Sequence, residues 1–261
     1  MTRTYVITGA GSGIGMATAD LLRERGENVV GVDLKGSDIT ADLSTPEGRS
    51  QAVAAVLDRT GGTVDAVIAA AGLSLPKPLT VAVNFFGVTE FVDGLVEALS
   101  ASSAPRVAVV SSMASLQPNS PELVEAMLAG DEVRALAIGT ALSEKGPQVG
   151  YLNYPSSKRA LSRWIRKVGI TERYAGNHIP INAVAPGTVI TNMTKDLLAT
   201  EQGRAMVDAN VPMPLNYHSD AIVIARALAW LTSEENTHMT GQTIYIDGGA
   251  DATLRGDDIW S

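Results

Sequence analysis

Residues 8–15 read Thr8-Gly9-Ala10-Gly11-Ser12-Gly13-Ile14-Gly15, and what flanks them decides the fold. Before them stands Thr4-Tyr5-Val6-Ile7, a β-branched and aromatic run of strand type. After them, residues 13–25 carry apolar side chains at helical spacing and are stopped by Gly26. A strand that turns into a helix through closely spaced glycines lets backbone N–H groups at the helix start approach a diphosphate. A second strand, Asn28–Asp33, ends in a carboxylate eighteen residues past Gly15, where an acid can accept both hydroxyls of an adenosine ribose. Asp33 would repel a 2′-phosphate, and the glycine loop holds no Arg or Lys to attract one. Lys35 is the only cation nearby and reads as a solvated surface residue. The competing reading is a plain strand–helix turn with an acid at a strand end. The order strand, glycines, helix, strand, acid favours a dinucleotide, and predicts NAD rather than NADP.

Working outward, the same alternation continues. Residues 37–42 offer a short third strand, and Ser44-Thr45-Pro46-Glu47 is a helix start with a hydroxyl cap and an early proline. That helix runs to about Arg59 and ends before Gly61-Gly62. Residues 64–70, 106–111, 179–184 and 243–246 read as further strands, with helices near 79–100, 153–175 and 218–232. Strands without polar alternation, such as Val67-Ile68-Ala69-Ala70-Ala71, are buried on both faces. The prediction is an α/β fold over residues 1–261: a single-domain, Rossmann-type, doubly wound parallel sheet covered by helices on both faces.

Composition narrows the chemistry. With 45% hydrophobic and 18% charged residues the chain has a globular balance. It has no cysteine, which excludes disulfides, thiolate metal sites and cysteine nucleophiles. Twenty basic against 28 acidic residues give a net charge of −8, the wrong sign for a nucleic-acid partner. His178, His218 and His238 are too scattered to predict a metal. No apolar run approaches the ~20 residues of a membrane span; residues 221–231 are interrupted by Arg226. Tyr5-Val6-Ile7 is too short for a signal-peptide core, so the expectation is a cytoplasmic protein without a membrane partner.

The glycine spacing TGxxxGxG resembles that of the short-chain dehydrogenase/reductase family, and further motifs follow in family order. Asp42-Leu43 matches the stretch that contacts adenine. Ala71-Gly72 matches the end of the NNAG motif, with Ala69 and Ala70 standing where the family usually has asparagines. Asn84 in Val83-Asn84-Phe85-Phe86-Gly87 matches the active-site asparagine, and Ser112 follows the fifth strand. Tyr154-Pro155-Ser156-Ser157-Lys158 supplies YxxxK, and Pro186-Gly187 precedes Thr191. The resemblance covers residues 3–250. It implies that NAD is held by Gly9, Ser12, Gly13, Ile14, Gly15, Asp33, Asp42, Leu43, Ala71, Gly72, Tyr154, Lys158, Pro186, Gly187, Val189 and Thr191, with Thr191 and the Val189 backbone on the carboxamide. It also implies catalysis by Asn84, Ser112, Tyr154 and Lys158. Ser112 would hold the substrate oxygen, Tyr154 exchange its proton, Lys158 lower the Tyr154 pKa and bind the nicotinamide ribose, and Asn84 anchor a water leading to solvent. Ser111 and Ser112 point to opposite sides of a continuing strand; the family motif selects Ser112.

Tyr154 and Lys158 are four apart, so on a helix they share a face. Pro155 fits there, because N–H groups in a first turn have no intrahelical partner. Acid–base work near neutral pH needs the phenol well below its usual value of about 10, and a depression of about three units corresponds to about 4 kcal/mol. The expectation is that Lys158 and the charged nicotinamide ring supply it.

Ser112 and Tyr154 are 42 positions apart, far more than the family usually shows. Residues 121–129 and 132–145 carry apolar residues at helical spacing, including Leu123, Val124, Met127 and Leu128, then Val133, Leu136, Ala137, Thr140 and Ala141. A helical insertion at about 116–150 is therefore expected. With Ser111-Ser112-Met113-Ala114-Ser115 and the ending 247–252, it resembles the hydroxysteroid dehydrogenase/carbonyl reductase branch of the family. The resemblance implies an NAD(H)-dependent oxidoreductase acting on a hydrophobic secondary alcohol and its ketone. It also implies a homodimer, with a homotetramer as the alternative. Residues 189–217, rich in Met and Leu, read either as helix core or as an apolar substrate lid. The rival readings are an aryl- or terpenoid-alcohol dehydrogenase with the same machinery, and a catalytically silent NAD-binding regulator.

Overall fold

β1 (Thr4–Thr8) pairs in parallel with β2 (Asn28–Asp33) on one side and β4 (Ala66–Ala69) on the other, with Tyr5 opposite Val29 and Ala66. Growth in both directions gives a seven-stranded, all-parallel sheet. The remaining members are β3 (Ile39–Thr40), β5 (Arg106–Val110), β6 (Ile181–Pro186) and β9 (Thr243–Ile246), in the order β3-β2-β1-β4-β5-β6-β9. A two-stranded ribbon, β7 (Val189–Ile190) with β8 (Ser219–Asp220), lies beyond the end of β6. These observations come from a computed structural model that describes residues 2–259.

Helices pack on both faces because the central strands are apolar throughout; every residue of β4, β5 and β6 is buried. One core cluster contains Val6, Val67, Val107, Phe91 and Leu161; the other, on the opposite face, contains Ile7, Ile68, Ala108, Leu22 and Leu228. The chain reverses its winding between β1 and β4, so a crevice opens at the carboxyl ends of those strands.

Two expected helices are interrupted. The 79–100 stretch divides into Leu79–Val81, a wide turn at Ala82–Phe86, Gly87–Gly94 and Val96–Ser100. The turn widens where the Asn84 side chain bonds to the Leu73 backbone. The helix expected over 153–175 ends at Val168, and a second wide turn, Glu172–Gly176, follows.

The segment between Ser112 and Tyr154 is helical. Pro121–Leu128 is capped by the Ser120 hydroxyl, and Glu132–Glu144 by the Asp131 carboxylate, which accepts from the Arg134 N–H at 3.0 Å. Leu123, Val124, Ala126 and Met127 join the core that holds Leu161, Trp164 and Ile165 of the Asn153–Val168 helix. The second helix is rotated from its expected phase. Ala135 and Gly139 are buried with Leu136, Ile138 and Leu142 packed nearby, whereas Val133, Ala137 and Ala141 face outward. A buried guanidinium fixes this rotation: Arg49 contacts both carboxylate oxygens of Glu132, at 3.1 and 2.6 Å, and pairs with Glu90 at 2.8 Å.

Candidate active site

The crevice begins where β1 meets its helix, Gly13–Glu24. Gly9 has φ +71°, and a Cβ there would lie 2.8 Å from the Ala71 nitrogen, so only glycine lets this turn rest on the end of β4. The Thr8 hydroxyl accepts from the N–H groups of Ala70 and Ala71, at 3.1 and 3.2 Å. A hydroxyl on β1 thereby ties down the strand end at which the family's asparagines are missing. Ser12 precedes the helix in extended conformation and its hydroxyl makes no capping bond. A Cβ on Gly13 would approach nothing nearer than the Thr191 methyl, at 3.5 Å. Ser12 and Gly13 at the helix start line a cleft, which is where a diphosphate would meet the helix N–H groups.

Asp33 closes the other end. One carboxylate oxygen accepts from Gly11 N–H at 2.9 Å and the other from Leu34 N–H at 2.7 Å, which fixes the group and leaves a lone pair on each oxygen for a diol. Asp33, Leu34, Asp42, Leu43, Ala71, Gly72 and Thr191 surround a cleft of about 250 Å³ with Gly9, Ser12 and Gly13. The Asp42 carboxylate also accepts from Ser44 N–H at 2.9 Å, holding the turn that presents Leu43.

A second, smaller cleft of about 130 Å³ adjoins it. Ile14, Gly72, Ser112, Tyr154, Lys158, Pro186, Gly187, Val189 and Thr191 line it, with Leu73, Met193 and Thr194. Tyr154 and Lys158 stand in the first two turns of the Asn153–Val168 helix, and Pro155 is its third residue. The Ser112 hydroxyl meets the Tyr154 phenol and also accepts from Ala114 N–H at 3.1 Å. The Ser111 hydroxyl turns away to Ser162, at 2.8 Å, and to the Lys158 carbonyl, at 3.2 Å. Of the two serines, Ser112 has its hydroxyl on the tyrosine.

The electrostatics depart from expectation. Burial pushes the Tyr154 phenol up to about 12, with the Ser112 hydrogen bond acting in the opposite direction. Burial likewise pushes the Lys158 ammonium down to about 8. Lys158 Nζ donates to the Val110 carbonyl at 2.7 Å and lies 6.0 Å from the Tyr154 ring centroid. The expected depression of Tyr154 by Lys158 is not found in the protein alone: burial dominates, and the Ser112 hydrogen bond is what opposes it.

Asn84 and Gly15 lie behind the cleft walls rather than on them. The Asn84 amide donates to the Leu73 carbonyl at 2.9 Å and to Ser157 Oγ at 3.1 Å, and its oxygen accepts from Leu73 N–H at 2.7 Å. Both donors are thus committed to protein, leaving one lone pair on the oxygen. Two contributors escaped the sequence reading. Leu73 is the backbone that Asn84 grips. Thr194 pins the loop below Thr191: its hydroxyl donates to the Val189 carbonyl at 2.5 Å and accepts from Thr191 N–H at 3.1 Å. The spacing Thr191-x-x-Thr194 before a short helix was the available signal.

Residues 9–251 match a family model described as Enoyl-(Acyl carrier protein) reductase. The chain is 35% identical over 255 residues to 3-alpha-hydroxysteroid dehydrogenase/carbonyl reductase of Comamonas testosteroni, covering 96% of this chain and 97% of that protein. It belongs to the short-chain dehydrogenase/reductase family. Within that family it is 28% identical to coniferyl-alcohol dehydrogenase of a Pseudomonas strain, over 96% of this chain and 97% of the other. Among solved structures it resembles the 3-alpha-hydroxysteroid dehydrogenase of Pseudomonas sp. B-0831 complexed with NADH, with a TM-score of 0.88 and 39% identity over 98% of this chain and all of that one.

Proposed function

We propose that this protein is an NAD(H)-dependent oxidoreductase that interconverts a hydrophobic secondary alcohol and its ketone, in the manner of the hydroxysteroid dehydrogenase/carbonyl reductase branch. The observation that carries the reading is the meeting of Ser112, Tyr154 and Lys158 in one small cleft that adjoins the glycine loop and Asp33. Bound in the larger cleft, NAD supplies the hydride acceptor or, reduced, the hydride donor. Asp33 would take the adenosine diol, the N–H groups at Gly13 and Ile14 would hold the diphosphate, and Thr191 with the Val189 backbone would hold the carboxamide.

The residues of the inner cleft handle the oxygen and its proton. Ser112 donates to the carbonyl oxygen and so polarises it. Tyr154, whose phenol stays protonated at neutral pH, donates the proton that turns the developing alkoxide into an alcohol. In the oxidative direction Tyr154 must accept that proton, which a phenol near 12 does poorly. With the oxidised cofactor bound, Tyr154 would be drawn toward the phenolate by the positive charge of the nicotinamide ring. Lys158, with a value near 8, can return or remove a proton near neutral pH. Asn84 acts by holding the Leu73 backbone and Ser157 against this group.

We also propose that the protein works as a cytoplasmic homodimer, with residues 189–217 as a lid over the substrate. The Asn153–Val168 helix packs under the inserted helices, while β9 is the edge strand of the sheet, and Val223 and Trp230 on the Ala221–Leu231 helix are 38% and 43% exposed. A panel of hydroxysteroids and small cyclic or aryl alcohols with NAD⁺, read at the absorbance of the reduced cofactor, tests the activity. Turnover of at least one hydroxysteroid or cyclic alcohol is expected; no turnover of any member would overturn the reading.

A further inference from the structure

The inner cleft of about 130 Å³ is small beside the ~300 Å³ or more of an ordinary ligand pocket. It holds the reacting carbonyl, so the rest of a hydrophobic substrate must lie outside it, against whatever flanks Tyr154. Tyr151 is what flanks it. The Tyr154 N–H donates to the Tyr151 carbonyl at 2.9 Å, and the two rings lie 5.9 Å apart, tilted by 37°. A hydrogen bond to Ser74, just past the Leu73 wall of the cleft, secures the Tyr151 hydroxyl. The ring is thus held at its edge and on one side, and it remains 41% exposed. Met193 lines both clefts and is 48% exposed.

The inserted segment fixes this arrangement. Tyr151 follows the Pro147–Gly150 turn and precedes Asn153, whose fully buried amide donates to the carbonyls of Gly139, at 3.1 Å, and Gly150, at 2.8 Å. The helix Glu132–Glu144 therefore grips the chain on either side of Tyr151. A flat group stacking on a ring already held by two neighbours loses little further conformational entropy in ordering it.

Resting on the activity proposed above, we infer that Tyr151 is a specificity-determining residue: its free ring face is the platform on which a flat, ring-bearing ketone stacks while its carbonyl reaches Ser112 and Tyr154. Open-chain ketones gain little from such a platform. The stacking contribution amounts to about five- to tenfold in relative kcat/KM.

The test compares reduction of 2-tetralone, a flat fused-ring ketone, with that of 2-hexanone by the unaltered protein and by Tyr151→Ala, Tyr151→Leu and Tyr151→Phe. NADH affinity, read by fluorescence, checks that each variant is folded. The ratio of kcat/KM for 2-tetralone over 2-hexanone should fall five- to tenfold in the Ala and Leu variants, chiefly through KM, and stay within about twofold in the Phe variant. An unaltered ratio in both the Ala and Leu variants would overturn the inference. So would an equal loss of kcat on both ketones, which marks a mere support for Tyr154. Failure of the unaltered protein to reduce either ketone would overturn the carbonyl-reductase reading itself, and this inference with it.

Discussion

The Lys158 ammonium donates to the carbonyl of Val110, the last residue of β5, at 2.7 Å, and so spends its shortest contact on the backbone two positions before Ser112. This anchor joins the catalytic helix to the strand that delivers the serine. Burial, not this contact, is what keeps the Tyr154 phenol high in the protein alone.

Tyr154→Phe should lower turnover by about 10²–10⁴-fold while leaving NADH affinity within a few-fold. Steady-state rates and cofactor fluorescence measure the two. Retention of more than about a tenth of the rate would remove Tyr154 from the proton-transfer role.

Lys158 gives stability a pH signature. Its value is about 8 in the fold against 10.5 in the unfolded chain. Between these limits the unfolded chain binds a proton that the folded one has released, so stability attributable to this site rises with pH. Urea unfolding of the unaltered protein and Lys158→Met should show the difference shifting by up to about 3 kcal/mol towards the lysine protein from pH 8 to 10.5. Tyr154 acts oppositely at higher pH: the folded chain keeps its proton up to about 12, so stability falls as pH rises past 10. A flat difference for Lys158→Met would refute the buried-lysine account.

Asp33 decides the cofactor. Asp33→Ala combined with Ser12→Arg should move the ratio of kcat/KM for NADPH over NADH upward by tenfold or more, about 1.4 kcal/mol, since it removes a repulsion and adds a phosphate partner. If the unaltered protein already favoured NADPH, the cofactor assignment would fail.

Replacing residues 116–150 by a short turn should strip cover from the Leu161–Trp164–Ile165 side of the catalytic helix. Light scattering would then report tetramers or aggregates in place of the proposed dimer. A native tetramer built through the Asn153–Val168 helix would contradict this.

The strands were legible because buried parallel strands must be runs of β-branched residues, and the cofactor cradle because glycines and Asp33 have few other reasons to recur in that order. The interruption at Asn84 was not, since it depends on a side chain gripping Leu73, eleven positions away. Nor was the face of the Glu132–Glu144 helix that turns inward. Alanines at 135, 137 and 141 fit either side, and the choice falls to Arg49, eighty-three positions earlier in the chain. The weight of burial on Tyr154 in the protein alone was not legible for a similar reason: spacing puts Lys158 on the same helix face, but neither the burial around the phenol nor the carbonyl the ammonium prefers is written locally.

The helices Lys195–Leu198 and Glu201–Asn210 bury none of their residues. Substitutions there leave both core clusters untouched, so apart from Gly203, where a Cβ would collide with the Leu197 carbonyl, they cost the fold little. If this stretch is the lid proposed above, it can drift almost neutrally over evolutionary time and sample new alcohols and ketones while the cradle and the proton-handling residues stay as they are. A mutational library confined to residues 195–210 should accordingly yield mostly folded proteins that bind NADH and differ in what they reduce.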